Sequence, residues 1–204
     1  MMRITRASVK AYRYACMNYH YAKAIPSVSY AYNVYQNEEW CGCIIFGSGA
    51  NNHIGKEFGL VQGEILELVR VALNGKQRIT SECLAATLRQ LHKDAPAVKM
   101  IVSYADADQE HLGIIYQATN WIYLGRKNIG TIGAYMVNGK RMHPRSVNAK
   151  GWKNNIDWIQ KNIDSNAEAL YTKGKRKYIM CFDKKLRKIW QKQSLPYPKD
   201  KVMD

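Results

Sequence analysis

Hydrophobic positions change their period several times along this 204-residue chain, and each change marks an expected element. The run RASVKAYRYACMN, from Arg6 to about Asn18, places Val9, Tyr12 and Cys16 along one face of a helix. SVSYAYNVYQ and WCGCIIFGS alternate large and small residues on either side of Asn37-Glu38-Glu39, which predicts a two-stranded hairpin. GEILELVRVALN reads as a strand whose buried part is Leu66, Leu68 and Val69 to Ala72. In SECLAATLRQLHK, Leu84, Leu88 and Leu91 recur at helical spacing; Ser81 is the expected N-cap and Asp94-Ala95-Pro96 the stop. VKMIVSY predicts a central strand, HLGIIYQATNW a short helix, and IYLGRKN and GAYMVNGKRM two further strands. Beyond these, Trp152, Ile156, Ile159 and Ile163 form one side of a helix, KYIMCF a strand, and DKKLRKIWQK a helix capped by Asp183. This order predicts an α/β (α+β) layer, one central mixed sheet flanked by helices.

Charge divides the chain unevenly. Residues 139–204 hold 17 Lys and Arg against 6 Asp and Glu, whereas residues 1–138 hold 14 against 10. The expected division is therefore a catalytic core over 1–138 and a basic C-terminal extension over 139–204. A positive field of that size attracts polyanions and releases their counterions. Lys140, Arg141, Arg145, Lys175, Arg176, Lys177, Lys184 and Lys185 are the candidate nucleic-acid-binding cations. Trp152, Tyr171, Tyr178, Trp190 and Tyr197 are interleaved with them, and bases stack on such rings. No run of about 18 apolar residues occurs, so no helical membrane span is expected. MMRITRASVKAYRYAC is basic without a continuous apolar stretch, so no secretory leader is expected either. Five cysteines, an odd number scattered through apparent elements, suit a reducing cytoplasm rather than a disulfide framework. Cys41 and Cys43 would share one face of a strand, as buried core residues.

The chemistry concentrates in SYADADQEHLGIIYQATNWIYLG, residues 103–125. Asp106 follows a buried strand, where α/β sheets place reactive groups, and its carboxylate can accept a proton, orient an amine or bind a metal. Asp108 is better placed to cap the following helix. His20, between Tyr19 and Tyr21, is a candidate metal ligand or general base. Lys76 and Arg78 precede a helix start that can take an anion. The loop GSGANNHIG is either a cover for a bound base or a plain connection.

The succession of elements resembles the GNAT acyltransferase fold. The segment 103–125, with NYHY near the N-terminus and KYIMCFDKKLRKIWQKQSLPYPK toward the end, is similar to the Mom family of phage DNA-modification proteins. The resemblance spans most of the chain and is strongest from Ser103 to Gly125. It implies a GNAT-like enzyme, in the cytoplasm of a bacterial host, that converts adenine in double-stranded DNA to N6-carbamoylmethyl-adenine and so protects phage DNA from restriction. It implies iron, and His20 and Asp106 could supply part of such a site, with His111 and His53 as candidates for a remaining ligand. It also implies Tyr116 as proton donor to the leaving group; Ser81, besides its expected capping role, is a candidate catalytic or donor-holding hydroxyl where it faces the cleft. One departure stands out. Acetyl-CoA-using GNAT proteins carry a Q/R-x-x-G-x-G/A loop, but here the position reads NGKQRITSE, without paired glycines. The donor is thus an acyl-CoA or an aminoacyl ester such as a charged tRNA. Two other functions stay open: GNAT-type transfer to another acceptor (tRNA, protein or amine), and nucleic-acid binding without catalysis.

Overall fold

The computed structural model describes residues 1–49 and 53–199; part of the loop expected over 47–55, residues 50–52, lies outside the described residues. A strand, β1 (Met2–Arg6), precedes the first helix and pairs antiparallel along its length with β2 (Tyr30–Gln36). Helix α1 (Val9–Tyr19) begins where the Ser8 side chain accepts the Ala11 N–H. It buries Ala15 and Cys16, and the expected inner residue Val9 is 55% exposed. The hairpin of β2 with β3 (Glu39–Gly47) forms as predicted. Its register shifts beside Gly42, whose φ of +124° and close approach to the Ala72 carbonyl admit no side chain. That irregularity overturns the expectation that Cys41 and Cys43 share a face. Cys43 packs with Cys16 under α1, whereas Cys41 bears on Cys83.

The expected strand and helix after Gly63 are β4 (Ile65–Leu73) and α2 (Thr80–Asp94), followed by β5 (Met100–Asp106). β4 and β5 run parallel but pair at only three positions, from Ile65↔Met100 to Glu67↔Val102. Beyond them both strands continue without pairing to each other. In the same stretch the β3–β4 register skips Val69, since Ile45 pairs Arg70 and Phe46 pairs Leu68; such a bulge re-aims neighbouring side chains. α3 (Ile114–Gln117), β6 (Ile122–Lys127), β10 (Lys175–Cys181) and α6 (Lys184–Gln191) complete this part. The seven-stranded sheet has the order β1-β2-β3-β4-β5-β10-β6. Asp183 caps α6 by accepting the Leu186 N–H, as expected.

The chain forms two compact units. The first comprises residues 1–104, 113–124 and 177–204; the second comprises 105–112 and 125–176. The second holds a three-stranded sheet, β8 (Lys140–Met142), β7 (Ile132–Val137) and β9 (Glu168–Tyr171) in that order, with α4 (Pro144–Ala149) and α5 (Ile156–Asn162). Its core is Tyr135, Val137, Val147, Ile159 and Ala167, against which the expected row Trp152, Ile156 and Ile163 packs. The boundary expected between 138 and 139 falls at the turn of the β7–β8 hairpin, and α6 belongs to the first unit. Among the described residues no helix is long and apolar enough to cross a membrane.

Candidate functional site

Tyr116 is the best-defined chemical group of the first unit. Gly113 starts the short α3 with φ of +80°, and a Cβ there would come within 2.6 Å of the Tyr178 ring, so only glycine fits. The turn carries Tyr116 inward until it is 8% exposed. Its hydroxyl lies 2.9 Å from the Ser103 hydroxyl, which in turn lies 2.9 Å from the Leu68 carbonyl. Ser103 is the first β5 residue past the last β4 pairing, so this chain of hydrogen bonds stands where the two strands part. The Trp121 and Tyr178 rings flank the phenol at centroid distances of 5.0 and 5.1 Å. Burial pushes Tyr116 up to about 12; Ser103 opposes the rise, and Tyr21 and Glu67 add to it. The phenol is therefore protonated throughout the neutral range.

Sequence reasoning passed over two residues of this neighbourhood. Ser103 gives no local signal, because its importance comes from Leu68 across the strands. Glu67 does give one. It is an acid inside the apolar run ILELVRVAL, half-buried at the last β4 position that pairs with β5. Its carboxylate also raises Tyr104, which burial foremost pushes up to about 12.

The remaining expected residues are distributed as follows. His20 ends α1; its Nδ1 accepts the Ala22 N–H at 3.1 Å and its ring stacks on Tyr21 at 4.5 Å. Asp106 lies in the second unit and accepts the Asp108 N–H at 3.0 Å, capping a single 3-10 turn. Asp108 does not cap α3, which starts at Gly113; it accepts the Thr172 hydroxyl at 2.6 Å and the Lys173 N–H at 2.7 Å. The Thr172 hydrogen bond foremost holds the Asp108 carboxyl below the usual range. Among the described residues no group of three or more His, Cys, Asp or Glu could hold a metal ion, so no iron site is found.

Ser81 is not the N-cap of α2. Ile79 holds that position without a side-chain cap, and Ser81 is the second helical residue. It lines a cleft of about 450 Å³ in the first unit, with Arg89, His92, Thr119, Asn120 and Phe182. Lys76 is ion-paired with Glu39, and Arg78 with Glu82 at 2.7 Å, so both expected anion ligands have carboxylate partners.

The basic residues separate sharply. In the second unit Lys140, Arg141, Arg145 and Lys175 are exposed. His143 lies among them, and burial, then Arg145, Lys175 and Arg141, hold its imidazole below the ordinary value. Arg176 donates to the His111 carbonyl at 2.8 Å. Lys150 covers the Trp152 ring, and Tyr171 is 66% exposed. Lys177 departs from expectation: it is 4% exposed, paired with Glu57 and stacked over the Phe58 ring, so it cannot reach a phosphate. Tyr178 is fully buried and offers no face to a base. Lys184 and Lys185 are exposed on α6 in the first unit.

Comparison with known proteins agrees with this architecture. The family model of the Mom protein family matches residues 1–199. No curated protein matches the chain. Among solved structures, an aminoglycoside acetyltransferase, AAC(6')-Ib, in complex with coenzyme A and kanamycin is similar at a TM-score of 0.52 and 10% identity, over 93% of this chain and 98% of that one. A probable acetyltransferase from Staphylococcus epidermidis follows at 0.48 and 10%, over 90% of this chain and 100% of that one. A Bacillus subtilis acetyltransferase with CoA is similar at 0.47 and 9%, over 90% and 100%. The fold is the GNAT-like mixed sheet flanked by helices that the order of elements predicts.

Proposed function

The chain belongs to the Mom protein family, and from that premise we propose that it modifies the N6 amino group of adenine in phage DNA by group transfer. The single observation that carries the reading is the buried Tyr116 hydroxyl, held by Ser103 where β4 and β5 part. In the transfer the adenine nitrogen bonds to the carbonyl carbon of the donor, and the bond from that carbon to the leaving group breaks. The leaving atom departs with the electron pair and takes the Tyr116 proton; the amine gives its own proton to a base, for which Glu67 is assigned. His20 is a further proposed participant from the first unit, and Ser81 in its cleft a donor contact. The exposed cations around His143 would grip DNA phosphates, while extruding the base costs a few kcal/mol.

The donor is an acyl-CoA or an aminoacyl-tRNA. Coenzyme A is bound by AAC(6')-Ib on a fold of this kind. The second donor fits both a glycine-like adduct and the chain's excess of basic residues. Ribonuclease treatment of an active extract separates the two, since only tRNA-dependent activity is lost. Acyl transfer from a glycyl donor leaves N6–CO–CH2–NH2, an isomer of the carbamoylmethyl group N6–CH2–CO–NH2. To reach the carbamoylmethyl group, N6 must leave the carbonyl carbon for the methylene carbon while the amino nitrogen leaves the methylene for the carbonyl. Two C–N bonds break and two form, so the exchange needs no oxidant or reductant.

The test is mass spectrometry of nucleosides from DNA of cells expressing the chain. A new adenine nucleoside is expected, and on hydrolysis it should give a carboxymethyl adduct and ammonia rather than adenine and glycine. Unmodified DNA alongside modified tRNA or protein would overturn the reading.

A further inference from the structure

β6 is the outer strand of the seven-stranded sheet, and an outer strand presents unpaired backbone groups. The segment that follows α6 covers it. The Leu195 N–H donates to the Tyr123 carbonyl at 2.9 Å, and the Tyr197 hydroxyl donates to the Trp121 carbonyl at 2.6 Å. Gln117 donates from Nε2 to the Pro198 carbonyl at 3.4 Å and lies 3.3 Å from the Tyr178 hydroxyl. Pro196 and Pro198, either side of Tyr197, fix their own φ and remove two N–H groups, so the segment cannot pair as a full strand.

A plain edge cover would need only the backbone of β6. Here each contact lands on a residue linked to Tyr116. Trp121 donates its backbone N–H to the Tyr116 carbonyl at 3.0 Å and lays its ring beside the phenol. Gln117 is the next residue in the chain. The Tyr123 ring lies 5.0 Å from that of Tyr178, which itself flanks Tyr116. We propose that residues 194–198 are a strap that positions the proton donor, with Tyr197 as the positioning residue. It grips Trp121 and Gln117 from outside and keeps water out of the aromatic cage around the Tyr116 hydroxyl. This rests on the reading of Tyr116 as the proton donor.

The groups facing that hydroxyl are Ser103 from β5, Tyr178 from β10 and Trp121, with Tyr21 and Glu67 acting through their charge. The strap contributes no ionised group to this set. Its effect on Tyr116 is therefore through exclusion of water, and loosening it should let the phenol titrate nearer its ordinary value of about 10.

The experiment uses the full chain with Tyr197→Ala and, separately, Leu195→Pro, which removes the donated N–H and the leucine side chain and fixes φ at that position. The Tyr116 titration is followed by NMR of 13Cζ-labelled tyrosine, assigned by the resonance lost in Tyr116→Phe. The midpoint should fall from about 12 toward 10 in both variants. The modification rate should fall about tenfold to a hundredfold with KM for DNA unchanged. Tyr197→Phe keeps the ring and should sit between these and the unsubstituted chain. A Tyr116 midpoint that stays in place while only the melting temperature drops would reduce the strap to an edge cover and overturn the proposal. So would a shifted midpoint with an unchanged rate. Because the titration needs no substrate, a shifted midpoint in a chain that leaves adenine unmodified would instead count against the proposed reaction.

Discussion

Lys175, Arg176 and Lys177 are neighbours on one strand, yet they belong to two different kinds of surface. Lys175 is exposed in the second unit beside His143, Arg141 and Arg145, whereas Lys177 is buried in the first, on Glu57 and Phe58. The contrast extends to the units. The first hides its central group, Tyr116, among rings and a serine, and burial raises the phenol further above the neutral range in which it is already protonated. The second displays its charges; burial first, and then the neighbouring cations, disfavour a further proton on His143. A group that must hold a proton gains from a dry, low-dielectric site; cations that must meet phosphates gain from water and reach.

The strongest way to break this comparison is Tyr116→Phe, which removes one oxygen and keeps the ring. The modification rate should fall by about a hundredfold to ten-thousandfold, with near-ultraviolet circular dichroism unchanged. Next is the joint change of Lys140, Arg141, Arg145 and Lys175 to Ala. DNA affinity should fall and the slope of log K against log salt should flatten by about 3 to 4, measured by fluorescence anisotropy across salt. Lys177→Met sharpens the boundary between the surfaces. It should leave that slope alone, and urea unfolding should register about 1–3 kcal/mol lost, because Glu57 loses its partner. The smallest effect is in the pH dependence of stability. Tyr116 is raised in the folded state, so its contribution is complete below about 10 and is lost as pH rises through about 12. Tyr116→Phe should flatten that part of the curve, and an unchanged slope would remove burial as the cause.

Much of the fold was legible because strong periodic segments dominate it: ILELVRVAL, the Leu84–Leu88–Leu91 stripe of α2, and the Asp183-capped α6 all fall where their patterns predict. β1 was hidden because MRITR is short and polar, and becomes a strand only by pairing with residues 32–36. β9 was hidden likewise, since its partner β7 lies more than thirty residues earlier. In the site, Tyr116 was legible through family resemblance, but its partners Ser103 and Leu68 come together only in the folded sheet. The burial of Lys177 depends on Glu57, 120 residues away, so no local pattern of charge announces it. The same limit applied to Ser81, where the helix begins one residue earlier than its best capping side chain.

The central claim is that the first unit performs the chemistry and the exposed cations of the second serve to hold DNA. Single-turnover modification rates at saturating DNA, for Tyr116→Phe and for the fourfold alanine variant side by side, test it most directly. The account predicts that the fourfold variant regains the rate of the unsubstituted chain while Tyr116→Phe stays slow at every DNA concentration. Recovery of Tyr116→Phe at high DNA, or a fourfold variant that stays slow there, would contradict it.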